Sequence, residues 1–200
     1  MKTEERRVPK WETLKVTPGG DYVVFKTARV ERRHPHTGVA RPYSVIESPD
    51  WVNVVALTPR GEMIFVRQYR HGVDELTLEI PGGMVDAGES AFEAARRELR
   101  EETGYTSEEW RPLGVTRPNP ALQTNRCDTW LALNAQKTHS EDWDPGELMV
   151  TELLGPEEVE AGVSSGAIDH ALVLVALYWH QRATDQRGAA RGGGAPKAEP

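Results

Sequence analysis

Along this chain the apolar positions shift between a two-residue period, short unbroken apolar runs and a three-to-four-residue period, and each shift marks an element. Residues 21–33, DYVVFKTARVERR, mix β-branched and aromatic side chains with charges, which predicts a strand ending near His34-Pro35. HPHTG then reads as a turn, and residues 42–48 as a returning strand, giving a small N-terminal β unit. WVNVVALT at 51–58 and MIFVRQYR at 63–70 flank PRGE and predict a hairpin in the sheet core. Residues 76–80 form a short strand stopped by Pro81, after which Gly82 and Gly83 let the backbone bend closely around a ligand.

A helical period follows. Ser90 is placed to cap a helix, with Glu93 completing a capping box. Phe92, Ala95 and Leu99 supply one apolar face, and Gly104 supplies the left-handed residue just past the end. Further strands are expected at 113–116, 128–135 and 148–153, with a short helix near 156–161. A last helix at about 168–183 presents Leu172, Val175, Ala176 and Trp179. Mixed strands with helices on either side predict an α/β protein built as an α/β/α sandwich with a mixed sheet. The expected organisation is a β unit at 1–48, a main domain at 49–184 and a Gly-, Ala- and Pro-rich disordered tail at 185–200.

Composition narrows the partners. Two hundred residues with a formal net charge of −7 fit one main domain and argue against a nucleic-acid binder, whose affinity comes from clustered Lys and Arg. The single cysteine, Cys127, excludes an internal disulfide framework and fits a reducing cytoplasm; a small buried hydrophobe is the favoured role for it. The charged N-terminal stretch lacks a signal-peptide core, and the apolar run at 171–179 is too short to span a bilayer. A soluble, cytoplasmic protein without a membrane partner is expected. His34 and His36 flank a turn proline and read as solvated loop residues rather than metal ligands.

The concentrated chemistry lies between Gly83 and Tyr105. On a helix of ~3.6 residues per turn, Glu98 and Glu102 stack one turn apart and Glu101 flanks them. Three like charges on one stripe repel, and a hard divalent cation reverses that penalty by sitting between carboxylates and substrate phosphates. The competing assignment is a solvated, salt-bridged helix face.

The spacing of Gly83, Glu89, Arg97, Glu98, Leu99, Glu101, Glu102, Gly104 and Tyr105 resembles the Nudix box, G-x5-E-x7-R-E-U-x-E-E-x-G-U with U bulky and apolar. Every polar and glycine position is filled, and only the aromatic Tyr105 is a loose fit. The resemblance implies the Nudix α/β/α fold and hydrolysis of a nucleoside diphosphate linked to another group. It implies Mg2+, or Mn2+ in its place, held by Glu98 and Glu102 with Glu101 as accessory ligand or proton acceptor and the Gly82 backbone carbonyl as a further ligand. Glu89 and Arg97 would orient the box. VRQYR at 66–70 before LEIPGG, and a proline beyond the box at Pro118 or Pro120, look like the ADP-ribose pyrophosphatase branch.

In that branch Arg70 would grip the diphosphate or terminal ribose through a forked guanidinium. A loop carboxylate often serves as general base, so Glu141, Asp142, Asp144 and Glu147 compete, with Glu141 favoured. Trp51 and the N-terminal Tyr22, Phe25 and Arg29 are the candidates for contacting the nucleotide. The N-terminal lobe of that branch is exchanged between subunits, so the resemblance implies a homodimer. Residues 119–132 depart from the branch's usual S-P-G form, which widens the expected substrates from ADP-ribose to nucleotide sugars such as GDP-mannose. Other nucleoside diphosphate derivatives (dinucleoside polyphosphates, coenzyme A, nucleoside triphosphates) and a non-catalytic nucleotide-binding module are the alternatives.

Overall fold

A computed structural model describes residues 8–192, with side chains through 186. Two compact units result, Met1–Pro49 with Asn119–Asn125, and Asp50–Pro118 with Arg126–Pro200. The smaller unit is an antiparallel sheet of β1 (Glu12–Asp21), β2 (Lys26–Arg33) and β3 (Ala40–Glu47), with β2 in the middle. β1 has no counterpart among the expected strands, and residues 21–33 are not one strand. Asp21 closes β1, and a turn at 22–25, where the Tyr22 and Phe25 rings stack, leads into β2. Pro18, Gly19 and Gly20 all lie within β1. Pro18 is tolerated because β1 lies at an edge, where the register shifts between Pro18 and Asp21.

The residues around the first turn behave as solvated loop. His34 Nδ1 accepts from the His36 and Thr37 amides. Residues 119–125 join this unit, since the Ile46 amide donates to the Leu122 carbonyl and the Thr124 amide to the Ile46 carbonyl.

The larger unit holds β4 (Trp51–Ala56), β5 (Met63–Arg70), β6 (Glu75–Glu79), β7 (Gly82–Met84), α1 (Ala91–Thr103), β8 (Tyr105–Thr106) and β9 (Glu109–Thr116). It continues with β10 (Cys127–Leu133), β11 (Gln136–Lys137), β12 (Met149–Leu154), α2 (Pro156–Ser165) and α3 (Ala171–Gly192). A mixed sheet runs β7-β4-β10-β9, with β4 and β10 parallel, and an antiparallel sheet runs β12-β5-β6. The expected β4–β5 hairpin does not form. β4 has β10 on one edge and β7 on the other, so β5 turns into the second sheet and only Leu57 bridges Met63.

Alternation along the strands builds the layers. Val52, Val54 and Ala56 of β4, with Ile64 of β5, pack on Ala94, Ala95 and Leu99 of α1. Val55, Met63 and Phe65 point the other way, into a core with Ile168, Val173 and Ala176. The expected α/β/α arrangement is therefore present. The face of α3 is turned slightly from the expected one, with Val173 and Ala176 deepest. α3 also continues to Gly192, because helical backbone runs on past the last apolar residues. The remainder of the expected tail, 193–200, lies outside the described residues, as do residues 1–7 of the N-terminal unit. Among the described residues no helix is long and apolar enough to cross a membrane.

Candidate active site

The acidic helix starts and ends as its sequence dictates. Ser90 Oγ accepts the Glu93 amide and the Glu93 carboxylate accepts the Ser90 amide, while Gly104 takes φ 72° and its amide donates to the Arg100 carbonyl. Burying Ala94, Ala95 and Leu99 rotates Glu98, Glu101 and Glu102 toward a cavity of about 650 Å3. Trp51, Asn53, Arg70, Glu79, Gly82 and Gly83 line it too, as do Asp142, Asp144, Glu147 and His170.

Two glycines let the box close over the helix. Gly82 pairs with Asn53 in the β4–β7 ladder, and a side chain there would put its Cβ 2.8 Å from the Asn53 Cα. Its amide donates to Glu102 Oε2 at 2.9 Å. At Gly83 a Cβ would fall 2.6 Å from the Glu98 carboxyl carbon, so only glycine lets that carboxylate lie across the strand. The expected open glycine loop is thus a short strand, because β4 offers it an unpaired edge.

Arg97 organises the stripe. Its Nε and Nη2 hold the Glu89 carboxylate, both at 3.0 Å, and Nη2 also donates to the Met84 carbonyl at 2.9 Å. Nη1 reaches Glu98 at 2.8 Å and Glu101 at 3.2 Å. With those partners, the Glu89 bond foremost, the guanidinium is held protonated even more firmly than usual. Burial pushes Glu98 up to about 7 despite Arg97, and burial together with the Glu98 charge pushes Glu102 well above the ordinary carboxylate range. A buried carboxylate and a half-buried one whose charges are this disfavoured, with oxygen-only donors, fit a hard divalent cation that would offset both the burial and the repulsion. As the side chains stand, no three acidic, histidine or cysteine groups among the described residues converge on one point, and Arg97 bridges Glu98 and Glu101 instead.

Opposite the stripe stands Arg70, which sequence reasoning picked out, held by a residue it missed. Arg70 Nε and Nη2 fork onto Glu79 at 2.7 and 2.9 Å. Glu79 is 4% exposed, also accepts the Thr77 hydroxyl at 2.8 Å, and lies 3.8 Å from His170 Nε2. Burial pushes the Glu79 carboxyl up, but Arg70, with smaller help from His170 and Thr77, outweighs burial and holds it below its usual value. An acid inside the apolar run LEIP was the available signal for Glu79. His170, 91 residues further on by number, had no local signal. Asn53 was also missed; its Nδ2 donates to the Leu172 carbonyl at 3.3 Å.

The loop acids separate clearly. Asp142, Asp144 and Glu147 line the cavity, whereas Glu141 does not and is ion-paired to Lys137. The structure therefore does not bring Glu141, the loop acid favoured from the sequence, to the cavity with Glu98 and Glu102. In a loop with four carboxylates, which of them faces inward is set by the turn rather than by composition. Trp51 lines the cavity at the start of β4, and Arg29 lies on β2 in the N-terminal unit, beside Lys15, Thr17 and Glu31. Cys127 is a buried free thiol pushed up to about 12 by burial, in keeping with a packing role.

A profile of the NUDIX domain matches residues 48–173, well over half of the chain. The chain belongs to the NUDIX family. Among curated NUDIX relatives, the ADP-ribose pyrophosphatase of Bacillus subtilis is 33% identical over 95 residues, 48% of this chain and 51% of that one. The ADP-ribose pyrophosphatase of Mycobacterium tuberculosis is 33% identical over 110 residues, 54% of this chain and 53% of that one. The chain thus spans about half the length of these curated relatives. A crystal structure of an ADP compounds hydrolase superposes with a TM-score of 0.81 at 22% identity, covering 92% of this chain and 98% of the other. That likeness establishes the shared NUDIX fold.

Proposed function

We propose that this NUDIX protein hydrolyses the pyrophosphate bond of ADP-ribose or a related nucleoside diphosphate sugar, releasing a nucleoside monophosphate and a sugar phosphate. The observation that carries this is the complete acidic box on α1 facing Arg70 across one cavity. The names of the aligned relatives support the substrate class. Glu98, Glu101, Glu102 and the Gly82 backbone would hold the cation, with Mg2+ preferred and Mn2+ as a substitute. When bound, it supplies charge neutralisation at the phosphates and an activated water.

The remaining work falls to the chain's own groups. Glu79 occupies Nε and Nη2 of Arg70, which leaves Nη1 to donate to a substrate phosphate oxygen. Glu147 is the preferred proton acceptor among the loop acids, since its charge acts on Glu98, Glu102 and Arg70 together. Water's oxygen joins one phosphorus, and the bridging oxygen leaves with the other. Trp51 offers a ring for the base. The exposed Leu14, Val16 and Tyr43 of the N-terminal sheet support a homodimer in which Arg29 also contacts the nucleotide. The free buried thiol supports residence in a reducing cytoplasm.

Incubation with ADP-ribose and with GDP-mannose in Mg2+ should yield AMP or GMP by ion-exchange chromatography. Release of neither monophosphate would refute the proposal. Turnover only of coenzyme A or dinucleoside polyphosphates would redirect it, and tight ADP-ribose binding without turnover would mark a binding module.

A further inference from the structure

The last turn of an α-helix leaves carbonyls without partners inside the helix. In α1 the acidic loop supplies them. The Glu101 carbonyl accepts the Asp142 amide at 2.8 Å, and the Gly104 carbonyl accepts the Thr138 and His139 amides at 3.0 and 3.1 Å. The Glu102 carbonyl accepts the indole Nε1–H of Trp143 at 3.0 Å. Of these four donors, Trp143 alone uses a side chain, and it stands between Asp142 and the two further inward-facing acids, Asp144 and Glu147. Beyond it the chain closes on itself: the Asp144 amide donates to Glu147 Oε2 at 3.2 Å, and the Glu147 amide to the Asp144 carbonyl at 2.9 Å.

We propose that Trp143 is a positioning residue that latches the turn 144–147 to α1 and so registers Glu147 against the Glu98–Glu102 stripe. The inference rests on the hydrolysis proposed above. Physically, the indole suits the task. It is a donor only, it moves about two torsions, and its ring is half-buried while its N–H is committed to one carbonyl. That carbonyl belongs to Glu102, whose own carboxylate faces the cavity, so the loop is indexed to the backbone that carries the stripe. Without the indole bond, main-chain donors still hold residues 138–142, but nothing among the contacts described ties the 144–147 turn to α1.

Trp143→Phe keeps a ring and removes the donor. Trp110→Phe is the control, because Trp110 makes a similar indole bond, to the Ser107 carbonyl at 2.8 Å, outside the cavity. Steady-state kinetics with ADP-ribose and Mg2+ should show kcat falling about tenfold in Trp143→Phe with KM within about twofold, as expected for one lost positioning bond. Trp110→Phe should leave kcat unchanged. Hydrogen exchange followed by mass spectrometry should show faster exchange across 144–147 in Trp143→Phe and unaltered protection in 138–142 and in α1. Unchanged kcat, or a loss of kcat matched by the control, overturns the positioning role. Unchanged exchange across the loop overturns the latch whatever the activity. If the unmodified protein releases no AMP from ADP-ribose, the proposed reaction fails and the positioning role with it, while exchange still decides whether the indole holds the turn.

Discussion

Removing Arg70 should destabilise this protein more than neutralising the partner it holds. Glu79 sits with its side chain 5% exposed, whereas that of Arg70 is 44% exposed. In Arg70→Ala the carboxylate stays buried with one hydroxyl donor, from Thr77, and a distant His170. Breaking a fully buried ion pair in this way costs about 3–5 kcal/mol, and water reaching the Arg70 side lowers the expectation to about 2–3 kcal/mol. In Glu79→Gln the guanidinium is free to turn to solvent and the shape of the core is kept, so about 1 kcal/mol is expected. The double variant should cost less than the sum of the two, since it removes the stranded charge. Urea unfolding at pH 7 followed by circular dichroism measures all three. pH adds a second signature. Arg70 depresses the Glu79 carboxyl from its ordinary 4.5, so the pair's contribution is full above that value and is lost as pH falls through the lower folded value. In Arg70→Ala burial alone acts on Glu79 and raises its carboxyl above 4.5, so the deficit should begin to shrink on acidification already above pH 4.5 and keep shrinking down to the depressed value of the intact pair. A Glu79→Gln cost equal to or larger than that of Arg70→Ala would refute the assignment of Glu79 as the stranded partner.

Gly83→Ala should leave the circular dichroism spectrum unchanged yet reduce turnover at least about tenfold, because its methyl displaces the Glu98 carboxylate; normal activity would mean that this carboxylate can move freely. Val23 holds a φ of 71° in an exposed turn, a region costly for β-branched residues, so Val23→Asn should raise stability by about 1 kcal/mol in thermal unfolding, and a loss would show that Val23 is not strained. Cys127, 1% exposed with its thiol at about 12, should resist iodoacetamide at pH 8 until urea unfolds the chain; rapid stoichiometric labelling of the folded protein would contradict that burial.

Local chemistry was legible without coordinates wherever one short segment carries the whole signal. Ser90, Glu93 and Gly104 delimit α1 through bonds within a few residues, and the period of Ala95 and Leu99 decides which side of it turns inward. The orientation of Glu98, Glu101 and Glu102 follows from that. The resemblance to the Nudix box has the same origin, a dense motif within about one helix and its approach. Strand pairing was less legible. β4 and β5 look like a hairpin because both are apolar, but pairing depends on which edges distant strands occupy, and β7 and β10 had taken those of β4.

By itself, then, the sequence determined the acidic helix, its caps, the layered α/β class and the need for close glycines before the helix. Only the tertiary structure decided the long-range partners of the site: Glu79 locking Arg70, the Gly82 amide bound to the Glu102 carboxylate, and Trp143 bound to the Glu102 carbonyl. It also decided which of the four competing loop acids line the cavity, Asp142, Asp144 and Glu147 but not Glu141. The physical reason is range. Helix periodicity and capping act over three or four residues and are written in local spacing, whereas the site's ion pairs join side chains brought together by folding, with energies set by burial that no local spacing records.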